Sequence, residues 1–339
     1  MLHALRRIAI TLPLLVVVSF LVFLVGELLP GDPAAERFDV HSNPQAVAEW
    51  RERKGLDLPI AERYGRYLGS VARLDFGESY VDDRKIGPAL ADRFAATVEL
   101  TLFALLLAVP VGLAAGSLSA SLRGRWIDYA ANSTALLGIS LPVFWLGMLL
   151  VLLAKLVGFN HFQARYDVRA FEDVVGAYST KYYLFESLLR GQFAVAWSCL
   201  QHLLVPALAL STIPMATITR MTRSSVLEEV GKDYVRTALA KGLGRGRSIA
   251  RHALRNALLP IVTVIGQQTG TLLSGAALTE TVFSWPGLGT FIVDGVKRKD
   301  SPALTGGLLL VATTFIVVNL VVDLLYGVLD PRVRTGGDE

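Results

Sequence analysis

Six long apolar stretches alternate with polar and charged segments along the chain. About 20 residues of helix, at about 1.5 Å rise per residue, cross the roughly 30 Å hydrocarbon core of a bilayer. Each stretch is long enough to do so, and the pattern therefore predicts an all-α bundle of six transmembrane helices. The predicted spans are Ile8 to Leu29, Ala95 to Leu118, Tyr129 to Leu156, His202 to Met221, Ala257 to Leu278 and Leu304 to Leu329.

Proline residues lie inside most of these stretches: Pro13, Pro110, Pro142, Pro206, Pro214 and Pro260. A spanning helix tolerates proline where neighbouring helices satisfy the freed carbonyl groups, so a packed bundle is expected. The first stretch is longer than the apolar core of a typical secretory signal, and no small-x-small cleavage site precedes Pro30. These two features favour an uncleaved first helix.

Basic residues in the short loops predict the orientation. Nine Lys and Arg residues between Arg220 and Arg255 fall on the same side as Arg123 and Arg125 and both chain termini, if six helices alternate. An excess of Lys and Arg marks cytoplasmic loops, so both termini are expected in the cytoplasm; Lys297 to Lys299 then lies outside, against the rule.

This orientation divides the chain into a first transmembrane helix (residues 1–29), an extracytoplasmic segment (30–94), a core (95–329) with a cytoplasmic loop (222–256), and a cytoplasmic tail (330–339). In the extracytoplasmic segment, Asn43 to Lys54 and Ile60 to Leu74 have helical patterns.

Composition supports a membrane protein and argues against several other classes. Hydrophobic residues make up 53% of the chain and charged residues 18%, with a mean hydropathy of +0.48. The net charge of +4 does not indicate nucleic-acid binding, because the basic residues are in loops and form no arm or stripe. Cys199 has no cysteine partner and is expected to be a small buried apolar residue, and the five histidines show no ligand spacing, so no metal site is predicted.

The chain carries no motif for ATP hydrolysis. Gly231-Lys232 is followed by Asp233, so it cannot form a phosphate-binding loop of the Gly-x-x-x-x-Gly-Lys-Ser/Thr type. An intramembrane enzyme would need a nucleophile and base or a metal constellation, which the sequence does not provide. A secondary transporter or channel is an alternative class, but the inverted repeats that it predicts are not visible.

A glycine-punctuated segment in the cytoplasmic loop is the most informative feature. Val235 to Lys241 is predicted to form about two helical turns, three glycines (Gly242, Gly244 and Gly246) to supply positive φ for a reversal, and Ser248 to Ala257 to resume a helix. Its basic side chains would meet an acidic surface or a helix C-terminus on a partner: Arg236, Lys241, Arg245 and Arg247. The alternative is a loop whose basic residues contact only lipid headgroups.

This segment resembles the docking signature of binding-protein-dependent ABC permeases. Arg236-Thr-Ala-Leu-Ala-Lys-Gly242 with Leu259-Pro260 is similar to their Glu-Ala-Ala-x-x-x-Gly pattern, except that Arg236 and Lys241 replace acidic residues. That departure is similar to the branch importing dipeptides, oligopeptides, nickel or glutathione. Further segments match the first of the two permeases of that branch, in order: Leu29-Pro-Gly-Asp-Pro33, Leu74-Asp-Phe-Gly-Glu-Ser79, Leu141-Pro-Val-Phe-Trp-Leu-Gly147, Glu280-Thr-Val-Phe-Ser-Trp-Pro-Gly-Leu-Gly289, and Asn319 to Asp323 with Leu329-Asp-Pro-Arg332.

The resemblance implies a type I ABC importer fold in a bacterial plasma membrane. The implied partners are a second homologous permease, two ATPase subunits or one fused ATPase, and an extracytoplasmic substrate-binding protein. ATP and Mg would be bound by the ATPases, and this chain would hold no cofactor. The ATPase-docking residues implied by the match are Arg236, Thr237, Ala238, Lys241, Gly242, Leu243 and Gly244.

Two sets of membrane residues are left with alternative interpretations. Gln267, Gly270, Thr271 and Ser274 share one small, polar helix face, which either lines the translocation path or packs against a neighbouring helix. Trp285 is expected either in an aromatic belt at the membrane interface or at an outer gate. Asn319 and Asp323 share a face, and a structural hydrogen bond or salt bridge is expected there.

Overall fold

The computed structural model describes residues 2–29, 32–38, 44–161, 164–176, 180–275 and 277–329. This part of the chain is helical and contains no strand, only an isolated bridge between Glu78 and Lys85. The helices are α1 (Leu2–Glu27), α2 (Pro33–Arg37), α3 (Pro44–Lys54), α4 (Ile60–Val71), α5 (Ile86–Ser121), α6 (Trp126–Ser140), α7 (Val143–Leu156), α8 (Val168–Val175), α9 (Tyr183–Leu189), α10 (Phe193–Val230), α11 (Asp233–Ala240), α12 (Arg245–Ser248), α13 (Leu254–Leu273), α14 (Ala277–Val282), α15 (Leu288–Lys297) and α16 (Ser301–Leu329). The predicted tail 330–339 and part of the Leu29 to Pro33 motif lie outside the described residues.

Within the described residues, four helices are long and apolar enough to cross a membrane: α1, α5, α10 and α16. A fifth span exists if α6 and α7 are counted as one helix bent by 104°. The predicted continuous span from Tyr129 to Leu156 is therefore wrong. Leu141 has φ −86° and ψ 131° and ends α6, because the residue before a proline is pushed out of the α region and Pro142 follows.

The fifth predicted span also differs from the prediction. The helix α13 ends at Leu273, and Gly275 turns the chain with φ +89° into the short helix α14. Helix α13 carries the polar residues Asn256, Gln267 and Gln268, and its most apolar stretch is less apolar than those of α1, α5, α10 and α16. All six apolar stretches are helical, but the prediction of six continuous spans is wrong in this region and at Leu141.

The long helix α10 lies at the centre of the bundle and packs against α5, α6, α7 and α13. Glycines allow α5 to approach it closely. A Cβ on Gly112 would lie 2.8 Å from Ile218 Cγ2, and one on Gly116 would lie 2.5 Å from the Thr219 carbonyl oxygen. Such small residues let helix backbones meet without a hydrophobic driving force in lipid. By contrast α1 packs mainly on α16 and α4, at the edge of the bundle.

The segments between helices gather on two opposite faces. Among the described residues, the cap face comprises 32–38, 44–85, 157–161, 164–176, 180–192, 274–275 and 277–300, and the basic-loop face comprises 122–125 and 231–253. The predicted helical stretches of the first segment match α3 and α4. On the cap face Ser79 Oγ donates to Asp300 Oδ2 at 2.5 Å and the Tyr80 amide to Asp300 Oδ1 at 3.1 Å. These bonds attach the loop that holds Ser79 and Tyr80 to the start of α16.

Candidate functional site: the basic loop and its base

The basic loop (residues 231–253) begins with an eight-residue helix, α11, that lies on the end of the bundle. Val235 is its one fully buried residue, at 1% exposure, and Ala238 and Leu243 are half-buried. These positions fall on one side of the helix because residues three apart share a face. The predicted two helical turns therefore form, and they end at Ala240 instead of Lys241. They contact the bundle through a narrow apolar surface.

The reversal after α11 uses one glycine. Gly242 has φ +87°, and its amide donates to the Leu239 carbonyl while that of Leu243 donates to Ala238. The expectation that Gly244 and Gly246 also adopt positive φ is wrong: neither is among the described glycines with that conformation. Gly246 instead lies inside α12, since the helix resumes at Arg245, earlier than the predicted Ser248.

The outward side of the basic loop is uncovered in this chain. Exposed polar and small residues there include Arg236, Thr237, Lys241, Gly242 and Gly244. Exposed apolar side chains lie beside them, with Tyr234 and Leu239 each 38% exposed. The Arg236 to Asp233 ion pair, at 3.6 Å, joins two strongly exposed groups and contributes little to stability. A surface of mixed basic and apolar character is thus presented on a helix.

Beneath this surface is a tightly buried apolar base. Val235, Ile249 and Ala253 of the loop form one buried cluster with Ala120 of α5 and Val226 of α10. A single π turn, Ile249–Ala253, carries two of these residues and leads directly into α13. The helix α11 packs against α10 and the π turn, and the π turn in turn packs against α5, α10 and α13.

An ion pair that was not predicted fixes the same end of the bundle. Arg223 Nε on α10 donates to Asp128 Oδ1 on α6 at 2.7 Å, and the carboxylate also accepts from Ser119 Oγ and the Gly124 amide. Asp128 is 3% exposed. These bonds hold the turn between α5 and α6 against α10. The only sequence signal was a lone acidic residue beside the basic pair Arg123 and Arg125.

On the polar face of α13, one residue packs against a neighbouring helix and the others are largely uncovered. Gly270 is buried, and a Cβ there would lie 3.3 Å from the Phe315 ring of α16, so this position packs. Gln267 and Thr271 are exposed and Ser274 is half-buried, so the chain itself leaves these side chains largely uncovered. The Thr271 and Ser274 hydroxyls donate to carbonyls of their own helix. Asn319 likewise donates to the Phe315 carbonyl of its own helix.

The aromatic turn on the cap face is a buried anchor. Trp285 is fully buried and its Nε1 donates to the Ala96 carbonyl of α5 at 3.0 Å. The prediction of an interfacial belt position is therefore wrong, since the indole group contacts α5 and not the membrane interface. A carboxylate missed by the sequence lies beside it: Glu280 accepts from Thr97 Oγ1 at 3.0 Å and from the Thr290 amide at 2.9 Å. Burial raises the pKa of Glu280.

Gly287 is required by this arrangement. A Cβ there would lie 2.2 Å from Glu280 Oε1, so any other residue would displace the carboxylate from its hydrogen bonds. The motif from Glu280 to Gly289 thus forms a packed corner between α13 and α16.

Residues that could hold a metal are few in the described part of the chain. No group of three or more His, Cys, Asp or Glu side chains comes together there. His161 and His202 are distant in the sequence, yet their ring centroids lie 5.4 Å apart. Cys199 is 3% exposed in a cluster with Phe171 and Tyr183, which confirms its expected burial.

The fold and these surfaces define a helical membrane protein with an uncovered loop surface at one end and a folded cap at the other. The profile of the family "binding-protein-dependent transport system inner membrane component" matches residues 108–335, and that of the family's N-terminal region matches residues 1–101.

Similar proteins cover nearly the whole chain. The dipeptide transport system permease protein DppB of Alkalihalophilus pseudofirmus is 42% identical over 98% of this chain and 99% of its own length. DppB of Escherichia coli K12 is 43% identical over 97% and 98%, respectively. The glutathione transport system permease protein GsiC of Escherichia coli O1:K1 is 36% identical over 98% of both chains. The chain therefore belongs to the family of binding-protein-dependent transport system inner membrane components.

Proposed function

We propose that the chain is a permease subunit of an ABC importer for dipeptides or oligopeptides, and that it forms half of the translocation path. The observation that carries the proposal is the uncovered surface of α11 above a buried apolar base. Relatives named as dipeptide permeases align with almost the entire chain, including this surface. Because one relative is named as a glutathione permease, a small γ-glutamyl peptide is a second candidate substrate.

The energy source in this proposal is a separate ATPase, with ATP and Mg bound there. The chain lacks a phosphate-binding loop, because Asp233 follows Gly231-Lys232. The docking surface for the ATPase is formed by the exposed residues of α11 and the reversal. Arg236 and Lys241 are the basic groups that would meet an acidic surface, with Leu239 providing an apolar contact.

Coupling would run through the buried base. When the ATPases close, they would displace α11, and Val235 would carry the displacement to Ala120 of α5 and Val226 of α10. The Asp128 to Arg223 bonds would make α6 move with α10. The bundle would then turn as a rigid body between inward-open and outward-open states.

The remaining partners follow from the two other uncovered regions. A second homologous permease would cover the exposed face of α13, so that Gln267, Thr271 and Ser274 line the path between the subunits. The cap face would receive a substrate-binding protein, and the basic-loop face, with both termini, would lie in the cytoplasm of a bacterium.

Uptake measurements test the function directly. Cells lacking this gene should fail to accumulate a radiolabelled, non-hydrolysable dipeptide, and the gene supplied on a plasmid should restore uptake. Unchanged accumulation after deletion, in cells with no other peptide importer, would contradict the peptide substrate. Purification from the same cells should give the chain together with an ATPase, and the chain alone should hydrolyse no ATP.

A further inference from the structure

A cleft on the cap face is not used by the proposed function. This cap cleft has a volume of about 630 Å³ and lies between α1, the end of α3, α4, α16 and the segment 75–85. A second cavity of about 370 Å³ adjoins it and shares Glu27, Arg63 and Tyr80 as lining residues. Both volumes are in the range of small-ligand sites.

The cap cleft carries an excess of positive charge. Five basic side chains line it against three acidic ones: Arg53, Lys54, Arg63, Arg66 and Lys85 against Glu27, Asp75 and Glu78. Arg63 pairs with Glu27 at 2.6 Å and Lys54 with Glu78 at 3.0 Å.

Arg53 and Lys85 are the two lining cations that form no ion pair with the described residues, and both are exposed. A negatively charged ligand in the cleft would pair with them.

A buried hydroxyl group in the same cleft lacks a partner. Tyr67 OH is buried and forms no hydrogen bond within the described residues. Burial raises the pKa of Tyr67 to about 12, so the hydroxyl stays protonated and available to donate. Buried hydroxyl groups normally have a hydrogen-bond partner, and an acceptor on a ligand would satisfy this one.

The cleft lies where a membrane surface is expected. Tyr64 of α4 places its OH 3.3 Å from the Val16 carbonyl and 3.1 Å from Ser19 Oγ, well inside the apolar span of α1. The helix α4 therefore lies along the cap-side half of α1 and not above it. Phe23, Phe76 and Pro302 are apolar side chains of its lining, next to the charged groups. A lining of apolar and cationic side chains suits a ligand that carries both an acyl chain and an anionic headgroup.

We propose that the cap cleft binds the headgroup phosphate of an anionic phospholipid, such as phosphatidylglycerol, from the leaflet on the cap side. Arg53 and Lys85 are the ion partners of the phosphate, and the Tyr67 hydroxyl donates to it. The bound lipid joins α4 to α1 and α16 and so holds the cap on the edge of the bundle. A zwitterionic choline lipid binds less well, because its ammonium group meets the excess of basic residues.

Native mass spectrometry tests the proposal on the full chain, purified with its copurifying subunits. Phosphatidylglycerol and phosphatidylcholine are added to delipidated protein, and the bound fraction of each is measured. Retention of phosphatidylglycerol at a concentration at least fivefold lower is expected, with no competition from millimolar inorganic phosphate. Equal retention of the two lipids would overturn the proposal, and so would displacement by inorganic phosphate, which would assign the cleft to a soluble anion.

Matched variants locate the lipid. R53Q/K85Q should weaken phosphatidylglycerol binding about tenfold or more, since each basic side chain near an anionic headgroup contributes a factor of about five. The control R73Q/R84Q removes the same charge from exposed positions outside the cleft and should change nothing. If R53Q/K85Q does not assemble, Tyr67→Phe replaces it, because the lost hydroxyl has no hydrogen-bond partner among the described residues. Wild-type lipid affinity in assembled R53Q/K85Q, or in Tyr67→Phe where the double variant does not assemble, would refute the site.

Discussion

Glu99 and Arg165 form an ion pair in which both side chains are buried, with Arg165 Nη2 2.5 Å from Glu99 Oε2. Arg165 also lies over the Tyr183 ring, 3.7 Å from its centroid, and Glu99 Oε1 accepts from the Leu184 amide at 2.6 Å. The pair therefore attaches Arg165 and the start of α9 to α5. Its neighbours on α5, Ala96 and Thr97, anchor the Trp285 turn, so one turn of α5 positions two separate parts of the cap face.

Breaking this pair should destabilise the protein strongly. Arg165→Met leaves the Glu99 carboxylate buried without its cation, which costs about 3–5 kcal/mol. The double variant E99Q/R165M should recover part of the loss, because the amide oxygen still accepts from Leu184 without a buried charge. Thermal unfolding of the purified chain, followed by tryptophan fluorescence, gives both values. A double variant no more stable than Arg165→Met would show that the charge is not the cause.

If the exposed side of α11 binds the ATPase, substitutions of an exposed and of a buried residue of α11 should have different effects on ATPase binding and stability. Leu239→Asp adds a charge on the exposed side and should lower the amount of copurifying ATPase without changing the melting temperature. Val235→Ala removes two buried methyl groups from the base and should cost about 2 kcal/mol of stability. Pull-down of the ATPase and a melting curve on each variant separate the two. Normal ATPase binding by Leu239→Asp would place the contact elsewhere.

Gly242 should be more sensitive to substitution than its neighbouring glycines. Nothing lies within 4 Å of a Cβ built on Gly242, so Gly242→Ala carries only the conformational cost of positive φ, about 1–2 kcal/mol. Gly242→Pro cannot adopt φ +87° and should abolish coupling. The control Gly246→Ala lies inside α12 and should be neutral or slightly stabilising. Transport rates and stability that are the same for all three variants would exclude a reversal at Gly242.

The helical content of this chain is readable from its apolar stretches, whereas the breaks and anchors are not. Hydropathy is continuous from Tyr129 to Leu156, so it hides the bend that Pro142 imposes on the backbone. Trp285 was expected at a membrane interface because aromatic residues are enriched there. Its true partner, Ala96, is 189 residues away in the chain.

The same limit applies to the basic loop. The order of helix, reversal and helix follows from local residue types, and the signature locates it. Which glycine carries positive φ depends on where α12 begins, and that is decided by the burial of Ile249 and Ala253 against α5 and α10. The Asp128 to Arg223 pair and the Glu99 to Arg165 pair join residues 95 and 66 positions apart. Long-range pairs of this kind leave no local pattern.

Sidedness can be measured with single cysteines in a chain whose Cys199 is replaced by Ala. A cysteine at Asp57, on the cap face, should react with an impermeant thiol reagent added to intact spheroplasts. One at Lys241, in the basic loop, should react only after the membrane is permeabilised, because a loop rich in Lys and Arg is retained in the cytoplasm. Both positions are exposed in the chain. The reverse pattern of labelling would invert the orientation.

Substitutions on neighbouring positions of α13 distinguish the translocation path from helix packing. Thr271 is exposed, so Thr271→Trp should leave the complex assembled and reduce peptide flux by tenfold or more, while ATP turnover persists. Gly270 faces the Phe315 ring, so Gly270→Leu should instead separate α13 from α16 and lower the yield of assembled complex. Flux, ATP turnover and assembly are measured on one reconstituted preparation of each variant. Assembled Thr271→Trp with normal flux would remove this face from the path, and loss of assembly by Thr271→Trp would assign it to the contact with the second permease.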